Sequence, residues 1–303
     1  MDIFVITLKQ VIELFLIMLV GGVCYKTGLV TDKSKKELSN LLVSVVIPAI
    51  ILNSFQTQMD LSKAKLLIEA FFDCALVHVL LILLSFFLLP ERSGQHIRIE
   101  RLSVIYTNAG FMGIPLLTAI FGAEGTFYAA VYVAVFHLFM WTHGVFTLAK
   151  EKSVKTVVKQ LCSPTIAAVA LSLLLFFLDF KLPELLLTPI SYLSGMNTPL
   201  AMLATGVSLA SYDLLKLFQN RRLYYIAGLR LLILPALLIL LFRLFGLTNT
   251  AAVCVLAAAA CPTGALIPMV AVQYGHDERT ASGVFALTTL LSLFTIPLFM
   301  LFV

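Results

Sequence analysis

Two stretches of this 303-residue chain carry residue types that a continuous helix avoids and a binding site can use. The first reads YTNAGFMGIPLL and holds Asn108, Gly110, Gly113 and Pro115. The second reads AAAACPTGALIPMVAVQYG and holds Pro262, Gly264 and Pro268. Proline removes a backbone donor and clashes with the preceding turn. Glycine permits backbone angles that other residues resist. A helix interrupted in this way exposes amide donors and partial positive charge at the start of its second half. Two such starts brought to one point would suit a carboxylate. A plain kink is the alternative for either stretch alone, but the two occupy matching positions in the halves of the chain, which favours a pair of breaks.

Ionisable side chains inside apolar runs are costly and are functional candidates by default. Glu69 and Asp73 lie one helical turn apart on one face, with His78 deeper on another side. Two readings stay open for Asp73: a step in a proton relay, or a carboxyl satisfied by a neighbouring helix. Lys9 and Glu13 have the spacing of a structural i,i+4 pair. Arg230 follows the basic pair Arg221 and Arg222 closely enough to snorkel towards the headgroups, which is the expectation. Balancing a substrate's charge is its other reading.

These residues are embedded in a chain that is 60% hydrophobic and 12% charged, with a mean hydropathy of +1.02. A soluble domain carries roughly 25% charged residues. The apolar runs predict spans at about 3–25, 37–57, 66–89, 102–120, 124–149, 164–180, 188–210, 223–245, 250–273 and 280–303. They must be helices, because an open sheet cannot satisfy its backbone in hydrocarbon. A barrel would show short alternating strands instead. The chain begins Met1-Asp2 without a basic leader region, so residues 3–25 read as a retained first helix.

Fifteen Lys and Arg fall in the loops after the odd-numbered spans and four in the loops after the even-numbered ones. The positive-inside rule then puts the odd loops in the cytoplasm and both termini outside a cell membrane. The same loops account for the net charge of +5, so nucleic acid is not an expected partner. The five cysteines show neither a CxxC pair nor ligand spacing, so no disulfide framework, metal or cofactor is expected.

The halves echo one another. Pro115, Gly122 and Glu124 recur as Pro268, Gly275 and Asp277 at a constant offset of 153, and Pro48 pairs with Pro199 at 151. Five spans per copy is an odd number, so the second copy enters from the opposite side. The expected fold is therefore an all-α integral membrane protein of ten transmembrane helices. They form two five-helix inverted repeats, 1–150 and 151–303, with helices four and nine broken and crossing. No HExxH, GxSxG or GxxxxGK[ST] occurs, which argues against an enzyme or a nucleotide-driven pump. No ring of repeated charges marks an ion-selective pore. A secondary carrier for a small organic anion is the leading expectation; an anion channel or facilitator with the same fold is the alternative.

The chain resembles the auxin efflux carrier family along nearly its whole length. The likeness rests on VIPAIILNSF with Pro48 and Asn53, NAGFMGIP from Asn108 to Pro115, FGAEGTFYAA, Trp141, CPTGALIP from Cys261 to Pro268, and TTLLSLFTIP from Thr288 to Pro297. The resemblance implies a scaffold of helices one, two, six and seven and a moving transport domain of the other six. It also implies a homodimer joined through the scaffold, a small mono- or dicarboxylate held at the crossing, and elevator-like alternating access. Carried onto this sequence, Asn108, Gly110 and Pro115 match one break, and Pro262, Thr263, Gly264 and Pro268 the other; Gly113 is a further candidate site residue in the first break. Asn53 and Thr205 are expected to face the substrate from the scaffold. His137 departs from the family pattern by standing where an amide side chain is expected. It adds a titratable donor, so coupling to protons, through His137 or Asp73, or to sodium is open. Residues 150–163 form only a short basic connector where many plant members carry a long loop.

Overall fold

A computed structural model describes residues 3–58, 60–91, 96–149, 163–213 and 219–302. The connector 150–162, with Cys162, lies outside the described residues. Among the described residues the chain is helical, and its one β-type feature is an isolated bridge.

Helix α1 runs Ile3–Lys26, α2 Asp32–Ser54 and α3 Leu61–Leu88. Helix α4, Ile97–Ile105, ends at an irregular segment, after which helix resumes over Ala109–Leu148. Gly122, at φ 61° and ψ −139°, turns that stretch into two rods, α5 (109–121) and α6 (123–148). Helix α7 is Pro164–Phe177, α8 Glu184–Gly195, α9 Asn197–Ala210 and α10 Arg221–Leu244. Helix α11, Thr250–Ala260, also stops at an irregular segment before α12, Leu266–Gln273, and α13, Glu278–Phe299, closes the chain.

Among the described residues, six stretches are long and apolar enough to cross a bilayer: Ile3–Lys26, Asp32–Ser54, Leu61–Leu88, Ala109–Leu148, Arg221–Leu244 and Glu278–Phe299. Leu19, Phe72, Phe87 and Phe294 are among the large apolar side chains left on the outside of the bundle, as a lipid-facing surface requires. The protein is a multi-pass membrane protein.

Helix starts follow local chemistry. Asp60 accepts the Lys63 amide at 2.7 Å and starts α3 at Leu61, five residues ahead of the expected boundary. Thr31 likewise starts α2 at Asp32 by accepting the Ser34 amide. Hydropathy misses these first turns because they are rich in Lys and Ser, whereas capping residues mark them. Wide π-type turns occur at Leu42–Val46, Ala109–Gly113 and Leu229–Ile233, each just ahead of Pro48, Pro115 or Pro235. A proline cannot donate and crowds the carbonyl four residues back, so the turn before it opens.

Packing groups the helices around two centres. Helix α1 lies against α9, and α7 and α8 lie against the second half of α2. The first contact is backbone-close: a Cβ on Gly206 would collide with the Met18 carbonyl. Small residues at such crossings are what lets membrane helices approach. Around the second centre, α11 packs on α3, on the α5–α6 stretch and on α10, and α13 packs on α4, α10 and α12 and also on α1 of the first group. The two irregular segments lie inside this second group.

Candidate functional site

The irregular segments after α4 and α11 meet. Thr107 and Thr263 form an antiparallel bridge pair. The Asn108 amide donates to the Pro262 carbonyl at 2.7 Å, and the Gly264 amide donates to the Tyr106 carbonyl at 2.9 Å. Two helices are thus interrupted at one depth, and their loose backbone ends pair with each other, as buried backbone must. Gly264 permits the approach, since a Cβ there would stand 2.9 Å from the Thr107 carbonyl oxygen.

The carbonyl ends of α4 and α11 are closed by protein groups. At the end of α4, Leu102 accepts from the Tyr106 amide, Ser103 from Thr263 Oγ1 at 2.8 Å, and Val104 from Arg230 Nη1 at 3.1 Å. At the end of α11, Ala258 accepts from the Cys261 amide, Ala259 from Arg230 Nη2, and Cys261 from Arg230 Nε at 3.1 Å and Nη2 at 2.6 Å.

The amide ends on the other side of the crossing differ. Helices α2, α3, α7, α10, α11 and α13 each begin with a side-chain cap from Thr31, Asp60, Ser163, Asn220, Asn249 or Asp277. Helices α4, α8 and α9 begin without a side-chain cap, and so do α5 and α12, the two that begin at the crossing. The first amides of a helix have no partner inside it. At α5 and α12 they lie beside Gly110, Phe111, Ala265 and Leu266, which line a small pocket with Thr107, Asn108, Gly264, Ile47 and His137. The pocket has a volume of about 20 Å³, room for about one water. Three side chains there hold buried polar atoms without a protein hydrogen bond: Thr107 Oγ1, Asn108 Nδ2 and His137 Nδ1.

A second, wider cavity of about 560 Å³ opens beside the first. Phe111 and Ala265 line both. From them it runs between α9 and α12, past Thr205, Ser208 and Pro268, to Lys35, Lys36 and Tyr212 at the rim. Lys35 Nζ donates to Ser211 Oγ at 2.9 Å and lies 4.7 Å from the centre of the Tyr212 ring.

The residues singled out from the sequence separate into three groups. Asn108, Gly110, Gly264 and His137 line the crossing pocket. Pro262 and Thr263 build the crossing: the first through its carbonyl, the second through Oγ1 and through its amide on Thr288 Oγ1 at 3.2 Å. Gly113 packs against Cys261 Sγ, and Pro115 stands in the second turn of α5, just past the wide turn Ala109–Gly113. Pro268 and Thr205 line the wide cavity, and the Thr205 hydroxyl donates back to the Ala201 carbonyl. Asn53 lies near the end of α2 and lines neither cavity; Ile47 of that helix reaches the crossing instead. Asp73 is buried in α3, with Glu69 as its charged neighbour, and likewise lines neither cavity. Glu69 is held from outside by Lys65 at 3.7 Å and Asn249 Nδ2 at 3.4 Å.

Arg230 corrects its sequence expectation. It is 0% exposed and does not snorkel. The wide turn of α10 aims it into the protein, where its hydrogen bonds go to three backbone carbonyls. Three further residues were not anticipated. Tyr106 donates from its hydroxyl to the Phe139 carbonyl at 2.9 Å and fixes the first break to α6. Asn197, 2% exposed, donates from Nδ2 to the Gly110 carbonyl at 3.4 Å and ties α9 to α5. Phe111 lines both cavities. The signal for Asn197 was its place just before Pro199 at the start of an apolar run; Tyr106 and Phe111 look like ordinary apolar core in sequence.

The chain is similar to known membrane transport proteins. A family model described as membrane transport protein matches residues 6–300. A protein from Methanothermobacter thermautotrophicus described as an uncharacterized transporter is 26% identical over 306 residues, covering 98% of each chain. Another uncharacterized transporter, from Methanocaldococcus jannaschii, is 27% identical over 220 residues, covering 68% of this chain and 70% of its own.

Proposed function

The chain belongs to that membrane transport family, the auxin efflux carriers, and we propose that within it this protein is a secondary transporter for a small organic anion, a mono- or dicarboxylate. One observation carries the reading. Where the two breaks pair, the carbonyls of Leu102, Ser103, Val104, Ala258, Ala259 and Cys261 are met by protein donors, while the amide ends of α5 and α12 carry no side-chain cap beside a pocket. Helix N-termini are anion sites because their donors and dipoles point the same way. Asn108 Nδ2 adds a donor that protein leaves unused.

Access in this reading follows the wide cavity, whose rim residues Lys35 and Lys36 attract anions and whose floor is Phe111 and Ala265. The charge bias of the loops makes that rim cytoplasmic, so this is an inward-facing state with both termini outside a cell membrane. The moving unit is α3–α6 with α10–α13, shifting elevator-like against a scaffold of α1, α2 and α7–α9. The scaffold also supplies a homodimer contact. Ten spans in two inverted repeats are supported by Gly122 and Gly275, 153 residues apart, which both take a left-handed backbone at the far end of the half-helix that leaves the crossing. Proton coupling through His137 or Asp73, or sodium coupling, completes the cycle.

The test is uptake into proteoliposomes. Saturable accumulation of a labelled mono- or dicarboxylate, with no unitary currents in planar bilayers, supports a carrier. Unitary anion currents would replace it with a channel, and equilibration insensitive to proton and sodium gradients would leave a facilitator.

A further inference from the structure

A guanidinium held without exposure inside a membrane protein must be matched by acceptors, or the desolvation cost would expel it. Arg230 meets that condition in an unusual way: its Nε, Nη1 and Nη2 all bond to main-chain carbonyls, those of Val104, Ala259 and Cys261. Val104 ends one interrupted helix; Ala259 and Cys261 end the other. The C-terminal end of a helix carries about half a negative charge, so two such ends offer about the charge one guanidinium neutralises. A planar fork of donors also fixes the angle between the two ends, which a point charge on a flexible stem does not.

We propose that Arg230 is the positioning residue of the crossing, binding the carbonyl ends of α4 and α11 together so that the paired breaks turn only amide donors to an anion. The inference rests on the anion reading of that site for its consequence, but not for its geometry. The segment it holds includes Cys261, whose sulfur is buried and lies against Gly113 at the start of α5. If the guanidinium sets the crossing, Cys261 becomes reachable when the guanidinium goes.

Arg230→Lys and Arg230→Met in the full-length protein, purified in nanodiscs, test this. Alkylation of Cys261 by N-ethylmaleimide is followed by peptide mass spectrometry, thermal unfolding on the same samples, and binding with malonate as the probe. Replacement by Lys keeps a charge and loses the fork. Loss of a charged hydrogen bond predicts alkylation at least about tenfold faster, with the protein still folded, and malonate bound at least about tenfold more weakly. Met should do the same or more, and the lysine should not rescue it. Cys261 as protected in both variants as in the wild type would overturn the proposal. So would a Lys variant that fails to fold, because that assigns Arg230 to the whole bundle and not to the crossing. Faster alkylation in variants of a protein whose wild type binds no malonate would support the positioning role and remove support from the carboxylate reading.

Discussion

Gly264 stands against Thr107 so closely that a single added carbon would meet the Thr107 carbonyl oxygen at 2.9 Å. The contact is backbone to backbone, so no flexible side chain can swing aside to relieve it. Gly264→Ala should therefore part the two breaks at their bridge and lose the Gly264 to Tyr106 hydrogen bond. The expected outcome is a stability loss of about 1–3 kcal/mol and loss of uptake. Gly228→Ala, at a site where a Cβ meets nothing within 4 Å, serves as the control. Unfolding and uptake assays on both variants check it.

Asn108 should separate function from fold. Its side-chain Nδ2 has no protein partner, so Asn108→Ala breaks no hydrogen bond made by that nitrogen. The Asn108 amide, which pairs with Pro262, is retained. Uptake should fall by at least about tenfold while the unfolding midpoint stays near that of the wild type. Wild-type uptake would take Asn108 out of the site.

His137 lines the same pocket, 1% exposed, with Nδ1 unpaired and its ring stacked on Trp141 at 6.3 Å. If it carries the coupling proton, uptake collapses with an uncoupler and depends on external pH, and His137→Gln flattens that dependence while keeping a polar side chain of similar size. An unchanged pH profile in the variant would move coupling to Asp73 or to sodium.

Asp277 gives a pH effect outside the spans. Partial burial pushes its carboxyl up, but hydrogen bonds from Thr280 and the Arg279 amide, with His96 at 3.2 Å, outweigh this and hold it below the ordinary carboxylate value. A carboxyl lowered by folding stabilises the fold above its unfolded value, and that stability is lost as pH falls through the folded value. Capping of α13 should therefore weaken below about pH 4. Asp277→Ala should cost about 1 kcal/mol at neutral pH and show less change on acidification. Thermal unfolding across pH checks both.

The sequence made the two breaks legible because Gly and Pro act locally, on their own turn of chain. Their pairing was an inference from a shared position, since nothing in either stretch encodes that Thr107 meets Thr263 across 156 residues. Hydropathy found the spans and misplaced starts such as Leu61, where Asp60 and a polar first turn decide. Arg230 shows the limit most clearly. Its distance from a basic loop pointed towards lipid headgroups, but direction depends on the open turn before Pro235, and its acceptors come from two other helices. Asn197 was hidden for the same reason, because its partner is a backbone carbonyl on α5.

The central claim is that the uncapped amide ends at the paired breaks bind a carboxylate. A thermal-shift screen of wild-type protein and Asn108→Ala against a panel of mono- and dicarboxylates tests it most directly, because a ligand that binds the folded state raises its stability by mass action. The account predicts that at least one acid raises the wild-type midpoint in a dose-dependent way and leaves the variant unmoved. No stabilising acid in the panel, or equal stabilisation of both proteins, would contradict it.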